Sequence, residues 1–154
     1  MAYSRRHFFA DVFRTLLGAL GLFGQSAKLL AASRQTVFGA ATAEAVYAEW
    51  VGNLPVVDSD QIEVKLPEVA ENGANVPMVV SSPLDRIESI AIIVENNPLP
   101  LSTELTLSSD TACYVAARIK MAQSSRVVVL AKRGDVFLRT QAYVRVVIGG
   151  CGSG

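Results

Sequence analysis

Along most of the chain, apolar and polar residues alternate with a period of two, which is typical of half-buried β-strands. From Gln61 onward the alternation falls in runs rich in Val, Ile, Thr and Leu, separated by turn-forming residues such as Asn72-Gly73 and Gly134-Asp135. The seven runs are 61–66, 76–82, 87–95, 102–107, 112–122, 126–132 and 136–148. About seven short strands of this kind predict an all-β fold, an immunoglobulin-like antiparallel β-sandwich.

A helical pattern precedes the strands. Residues 41–51 are rich in alanine, and Val46 and Trp50 lie four positions apart, on one face of a helix. Gly52 and Pro55 follow and are expected to end it. The sequence therefore predicts a short helix before the sandwich.

The first 43 residues read as an export leader. Arg5 and Arg6 are followed by aromatic residues and then by the apolar run 16–24. A charged region, a modest apolar region and small residues beyond it form the layout of a bacterial secretory signal, and the arginine pair resembles the twin-arginine kind. Because the twin-arginine route carries folded cargo, we expect the protein to fold before export to the periplasm.

The end of the leader is predicted from the small-x-small cleavage rule. Ala41-Thr42-Ala43 fits this rule and predicts a mature start near Glu44, while Ala31 and Ala32 are alternative cleavage positions. An uncleaved membrane anchor is the competing interpretation. The stretch 16–32 is short for a span of about 20 residues and contains Lys28, which disfavours that interpretation.

Charge and composition exclude several classes of function. Of the 14 basic and 14 acidic side chains, five basic and one acidic precede Glu44, which leaves nine basic and thirteen acidic residues and a net charge of −4. Such a domain lacks the clustered positive charge that nucleic-acid binding requires. The single histidine, His7, lies in the leader, so the remaining chain has no histidine base or zinc ligand. We therefore expect no enzymatic turnover, no metal and no cofactor.

The strand pattern separates the two cysteines. Cys113 is in phase with Ile119 and Met121, whereas Arg118 and Lys120 are on the opposite face. This placement predicts a small buried side chain. The alternative is a second redox-active thiol, which alkylation of the folded protein would detect.

Cys151 follows the last run, on a glycine-rich tail that reads Gly149-Gly150-Cys151-Gly152-Ser153-Gly154. Glycine populates most of φ/ψ space, so we expect residues 149–154 to act as a thin, flexible carrier arm, with a reach of about 20 Å at roughly 3.3 Å per residue. No Lys, Arg or His flanks the thiol, whose ordinary pKa is near 8.5. Activation is therefore expected from a partner enzyme, and Cys151 is the predicted site of covalent sulfur attachment, for example as a persulfide.

Three other interpretations of Cys151 compete with this one. It could link two chains through a disulfide, or it could be an incidental thiol on a disordered tail. A prenylation motif does not fit, because Gly152 and Ser153 are not aliphatic.

The alternative function for the whole chain is an exported immunoglobulin-like binding subunit whose terminal cysteine only crosslinks. The predicted organisation is thus a leader (1–43), a helix with the sandwich (44–148) and the carrier arm (149–154).

Several segments of the chain resemble the SoxY family, the sulfur-carrier subunits of the bacterial thiosulfate-oxidising Sox system. Besides the leader, they are Leu66-Pro67-Glu68-Val69-Ala70-Glu71-Asn72-Gly73 with Val76-Pro77, Glu95-Asn96-Asn97-Pro98, Ala117-Arg118-Ile119-Lys120-Met121-Ala122 and Val147-Ile148-Gly149-Gly150-Cys151-Gly152. The tail departs slightly from the family ending, Gly-Gly-Cys-Gly-Gly, since Ser153 precedes the last glycine, and Cys113 is an addition.

The resemblance implies an immunoglobulin-like fold and a heterodimer with a second β-sandwich protein, SoxZ. It further implies that the haem-containing SoxXA loads thiosulfate onto the cysteine matched here by Cys151. SoxB then hydrolyses off sulfate, and SoxCD, where present, oxidises the remaining sulfane sulfur. The carrier itself is a covalent platform for substrates.

Overall fold

The computed structural model describes residues 38–108 and 111–147, and every structural statement below concerns this part of the chain. Most of the predicted leader and the whole of the predicted carrier arm lie outside the described residues. No helix within the described residues is long and apolar enough to span a membrane.

The described residues contain a helix, α1 (Ala43–Val51), and nine strands. The strands are β1 (Val56–Asp58), β2 (Glu63–Lys65), β3 (Val69–Ala70), β4 (Val76–Ser81), β5 (Ser89–Val94), β6 (Leu101–Thr106), β7 (Tyr114–Ile119), β8 (Ser125–Arg133) and β9 (Val136–Val146). Each of the seven predicted runs overlaps one of these strands, namely β2 and β4 to β9; β6 extends beyond its run by one residue at one end, and β8 by one residue at each end. The predicted sandwich and helix are confirmed.

The strands form two sheets. The larger has the order β1-β9-β8-β5-β6, with β3 also paired to β9, and the smaller has the order β2-β4-β7. All pairs are antiparallel except that β1 and β3, which were not predicted, run parallel to β9. These two short strands pair with opposite ends of β9, at residues 137–139 and 145–146, so both ends of the outer edge of β9 are supported.

The main core lies between the two sheets. Alternate residues of β5 and β8 face those of β4, as the period of two requires. The fully buried members include Ile90, Ile92, Val94, Val127 and Val129 from the larger sheet, and Val76 and Val80 from the smaller. Burying each of these side chains contributes about 1.5–3 kcal/mol, so this layer supplies much of the stability.

A second core lies on the opposite face of the larger sheet. Helix α1 packs there, with Val46 fully buried against residues that include Ile93, Val128 and Phe137. The ring of Trp50 contacts that of Phe137, with centroids 4.9 Å apart and planes tilted by 50°. The protein is therefore a three-layer arrangement of helix, large sheet and small sheet, which explains why β5 is apolar at nearly every position.

Both ends of the helix are capped, and its end at Gly52 is the one that the sequence predicts. The hydroxyl of Thr42 accepts a hydrogen bond from the backbone N–H of Ala45 at 3.2 Å. At the other end Gly52 has a φ of 61°, and its N–H donates to the carbonyl of Ala48 at 3.2 Å. Glycine adopts this left-handed conformation without steric cost, so Gly52 ends the helix.

Candidate functional site

The predicted attachment site, Cys151, and the predicted arm residues Gly149, Gly150 and Gly152 lie outside the described residues, as do Arg5 and Arg6 of the leader. The structure does describe the segment that leads into the arm. We call residues 144–147, the end of β9 and the residue after it, the arm root.

One side of the arm root is held by the short strand β3. The backbone N–H of Arg145 donates to the carbonyl of Glu68, and the N–H of Val147 donates to the carbonyl of Ala70, each at 2.9 Å. Val147 is therefore fixed by a main-chain hydrogen bond two residues before the predicted arm begins at Gly149. The strand that provides these acceptors comes from the Leu-Pro-Glu-Val-Ala-Glu-Asn-Gly segment.

The other side of the arm root is held by a serine side chain. The ladder between β8 and β9 ends at the pair Ser125 and Val144. One step further, the hydroxyl of Ser124 accepts a hydrogen bond from the N–H of Val146 at 2.9 Å and donates to its carbonyl at 3.4 Å. Ser124 thus takes the place of a backbone partner where β8 no longer supplies one.

The loop that contains Ser124 is fixed by the Glu-Asn-Asn-Pro segment. The side-chain amide of Asn96 donates to the carbonyl of Ser124 at 2.9 Å, and the N–H of Asn96 donates to the hydroxyl of Ser125 at 3.0 Å. The side-chain amide of Gln123 donates back to the carbonyl of Asn96 at 3.1 Å. Ser125 is fully buried, and this hydrogen bonding compensates for the loss of its contact with water.

Asn97 connects the same segment to the end of β7. Its amide nitrogen donates to the carbonyl of Lys120 at 2.7 Å, and its amide oxygen accepts from the N–H of Ala122 at 2.9 Å. One asparagine therefore satisfies two backbone groups that the end of the strand leaves without a ladder partner.

Gly73 lies where three segments meet. Its carbonyl accepts a hydrogen bond from the N–H of Met121 at 2.7 Å. A Cβ atom at this position would collide with the carbonyl oxygen of Met121 and would lie 3.0 Å from a methyl group of Val146. The absence of a side chain lets these backbones approach each other, so glycine is required here by space.

Beside the arm root is a shallow, mostly apolar depression of about 460 Å³. Its lining includes Gly73, Asn97, Leu99, Lys120 and Met121. Leu99 is 54% exposed there, although it is a large apolar side chain. Gly73 lines this depression and also lies close to Val146 of the arm root, so the two features adjoin.

Cys113 is buried, with 3% of its surface exposed, so the inward orientation predicted from the alternation is confirmed. Burial raises the pKa of its thiol because the thiolate loses hydration. The pairing of β4 with β7 places Tyr114 opposite Ser81 and Ile119 opposite Val76. Cys113 is thus at one end of β7, about 20 Å at roughly 3.3 Å per residue from Ile119, whose end of the strand adjoins the arm root.

Among residues 38–108 and 111–147, no group of three or more His, Cys, Asp and Glu side chains is placed to hold a metal ion. The arrangement instead fixes one point of the backbone from which the tail departs. Ser124 was not predicted as part of this site, because in the sequence it is only a turn-forming residue, and Asn97 was singled out only as part of a family-like segment, with no role assigned.

Comparison with known proteins agrees with this picture. The family model described as sulfur oxidation protein SoxY matches residues 47–151. Among solved structures, the sulfur carrier protein SoxY from Chlorobium limicola f thiosulfatophilum is similar, with a TM-score of 0.63 and 30% sequence identity, over 68% of this chain and 96% of that chain. No curated protein matches the chain. The chain therefore belongs to the SoxY family of sulfur oxidation proteins.

Proposed function

We propose that this chain is a periplasmic sulfur carrier that holds thiosulfate-derived intermediates on Cys151 during sulfur oxidation. The observation that carries the proposal is the convergence of the family-like segments on the arm root. Backbone groups of Glu68 and Ala70, the side chains of Asn96 and Asn97 and the close approach of Gly73 all act at or beside this point. A tail that carries a chemical group needs a fixed starting point on the fold, and the contacts at the arm root would provide one.

The chemistry of Cys151 fits this role. In the loading step its sulfur would form an S–S bond with the outer sulfur of thiosulfate, the thiol proton would leave, and the two electrons released would be taken up one at a time by a haem-containing SoxXA-like partner. Hydrolysis by a SoxB-like partner then adds water across the bond to the sulfonate group, which releases sulfate and leaves a persulfide. A SoxCD-like enzyme acts on that sulfur where one is present, and the carrier provides only the attachment point.

We expect the two thiols of one chain to stay apart. Cys151 is four residues beyond Val147, a reach of about 13 Å at roughly 3.3 Å per residue. Cys113 is buried at the far end of β7 from the arm root. An internal disulfide would require the sandwich to open, so the carrier thiol stays free for its partners.

The proposal includes export and partnership. The leader with Arg5 and Arg6 directs the folded chain through the twin-arginine route to the periplasm. There the chain pairs with a SoxZ-like subunit, and the enzymes that load and unload the arm contact it transiently. No cofactor is needed beyond the sulfur species that Cys151 holds.

Loading in vitro tests this function. The purified protein is incubated with thiosulfate and a SoxXA-like enzyme, and its intact mass is measured for the wild type, Cys151→Ser and Cys113→Ala. We expect the increment of one thiosulfate in the wild type and in Cys113→Ala, and none in Cys151→Ser. A loaded Cys151→Ser variant would overturn the assignment. Loss of only a crosslinked dimer in Cys151→Ser, with no loading of the wild type, would favour the binding subunit.

A further inference from the structure

The beginning of helix α1 is part of the folded protein. Thr42 supplies two acceptors to the first turn, because its hydroxyl accepts from the N–H of Ala45 and its carbonyl accepts from the N–H of Val46, both at 3.2 Å. These two N–H groups have no earlier partner within the helix, as is general for a first turn. Thr42 is therefore the N-cap and cannot be removed without exposing both donors.

The residues around this cap are packed as well. Ala43 is the first helical residue, 7% exposed, and belongs to the second core with Val46, Val128 and Phe137. Ala40, two residues before the cap, also packs against that core. The folded layer thus extends at least to Ala40 and includes all of the triplet Ala41-Thr42-Ala43.

A cut between Ala43 and Glu44 would damage this layer. It would remove the Thr42 cap and the buried methyl group of Ala43, and it would place a new α-ammonium group in the first helical turn. The N-terminal end of a helix carries a partial positive charge, so a second positive charge there is unfavourable. A peptidase also needs an exposed, pliable segment, whereas Ala43 is helical and buried in cargo that folds before export.

We infer that the leader is removed upstream of Ala40, at the bond between Ser33 and Arg34. Ala31-Ala32-Ser33 is the nearest small-x-small triplet that leaves Ala40 and Thr42 in the mature chain. The inference rests on the proposed function, which includes an export leader, and it moves only the position at which that leader is cleaved. The mature protein then begins several residues before helix α1, and the helix is retained whole as the third layer of the fold.

N-terminal sequencing of the exported protein tests this inference. The full chain is expressed in a bacterium with the twin-arginine pathway, and the periplasmic form is sequenced. We expect Arg34 as its first residue. A first residue between Ala41 and Glu44 would overturn the inference while leaving export intact. A chain that stays in the cytoplasm with its leader uncut would overturn the export proposal and this inference together.

A matched pair of variants identifies the bond. Ser33→Phe puts a bulky side chain next to the proposed cut, and Ala41→Phe does the same within the alternative triplet, at a position that is exposed in the fold. The fraction of exported protein that keeps its leader should be at least tenfold higher for Ser33→Phe than for the wild type. Ala41→Phe should be cleaved like the wild type. The opposite result would place the cut at the alternative triplet.

Discussion

The hydroxyl of Ser124 accepts a hydrogen bond from the backbone N–H of Val146 at 2.9 Å, one residue before the last described residue of the chain. The two residues are 22 positions apart in sequence. Val146 is the last residue of β9, three positions before the predicted carrier arm begins at Gly149. We expect the properties of this point to decide how the arm is presented to partner enzymes.

Replacing Ser124 with alanine removes that contact. We expect Ser124→Ala to lower the free energy of unfolding by about 1 kcal/mol, because a part-buried N–H loses its acceptor. Amide hydrogen exchange of Val146 should accelerate more than that of Val144, which keeps its strand partner. Ser108→Ala is the control, since Ser108 is exposed. Equal exchange rates of Val146 in the wild type and Ser124→Ala would contradict the role of this serine.

Adding a single methyl group at Gly73 should disturb the arm root through steric conflict. The new Cβ would collide with the carbonyl of Met121 and crowd Val146. We expect Gly73→Ala to lower the free energy of unfolding, measured in urea, by about 1–3 kcal/mol. Gly52→Ala is a matched control, because it has open space around it and only the strain of a φ of 61°. A smaller loss in Gly73→Ala than in Gly52→Ala would show that the close approach is unimportant.

Burial of Cys113 predicts a dependence of stability on alkaline pH. The pKa of its thiol is raised in the folded state above the value of about 8.5 expected when unfolded. Between these two pKa values the folded protein binds more protons at this thiol, so the contribution of Cys113 to the free energy of unfolding is constant below about pH 8 and falls as the pH rises further. Cys113→Ala should be less stable at pH 7 but lose less stability between pH 7 and pH 10.

Tyr47 is present in both the wild type and Cys113→Ala. Burial raises its pKa to about 12, and the nearby Glu95 acts in the same direction. Its contribution is therefore common to the wild type and Cys113→Ala and cancels in the difference. Identical slopes of stability against pH for the two proteins would contradict the buried, neutral thiol.

The paired arginines of the leader predict the export route. Replacing Arg5-Arg6 with Lys-Lys keeps the positive charge but removes the twin-arginine signal. We expect the variant to accumulate in the cytoplasm, measured by fractionation and immunoblotting. A single Arg14→Lys substitution is the control and should export normally. Normal export of the Lys-Lys variant would rule out this route.

Alternation along the chain was sufficient to predict seven of the nine strands in the described residues, because each run was long enough to show a period of two. The two strands that were missed, β1 and β3, have three and two residues and lie outside the runs of alternating residues, whereas β2, also of three residues, lies within the run 61–66. Their pairing with β9 is parallel and joins residues far apart in sequence. Only the tertiary fold brings such partners together.

The candidate site was likewise predictable from the sequence only in part. The cysteine and its glycine neighbours are recognisable from composition alone, since a thiol among glycines has few structural uses. The contacts of Asn96 and Asn97 with residues 120–125 join positions more than 20 residues apart, and no local pattern indicates them. The position of helix α1 against Phe137 was missed for the same reason.

The most direct test of the account is the intact mass of the protein recovered from the periplasm of cells grown on thiosulfate, followed by mapping of the C-terminal peptide. The account predicts a population with increments of sulfur or thiosulfate that are removed by reductant and are confined to the peptide containing Cys151. A protein that carries no such increment under these conditions, or carries it on Cys113, would contradict the carrier role.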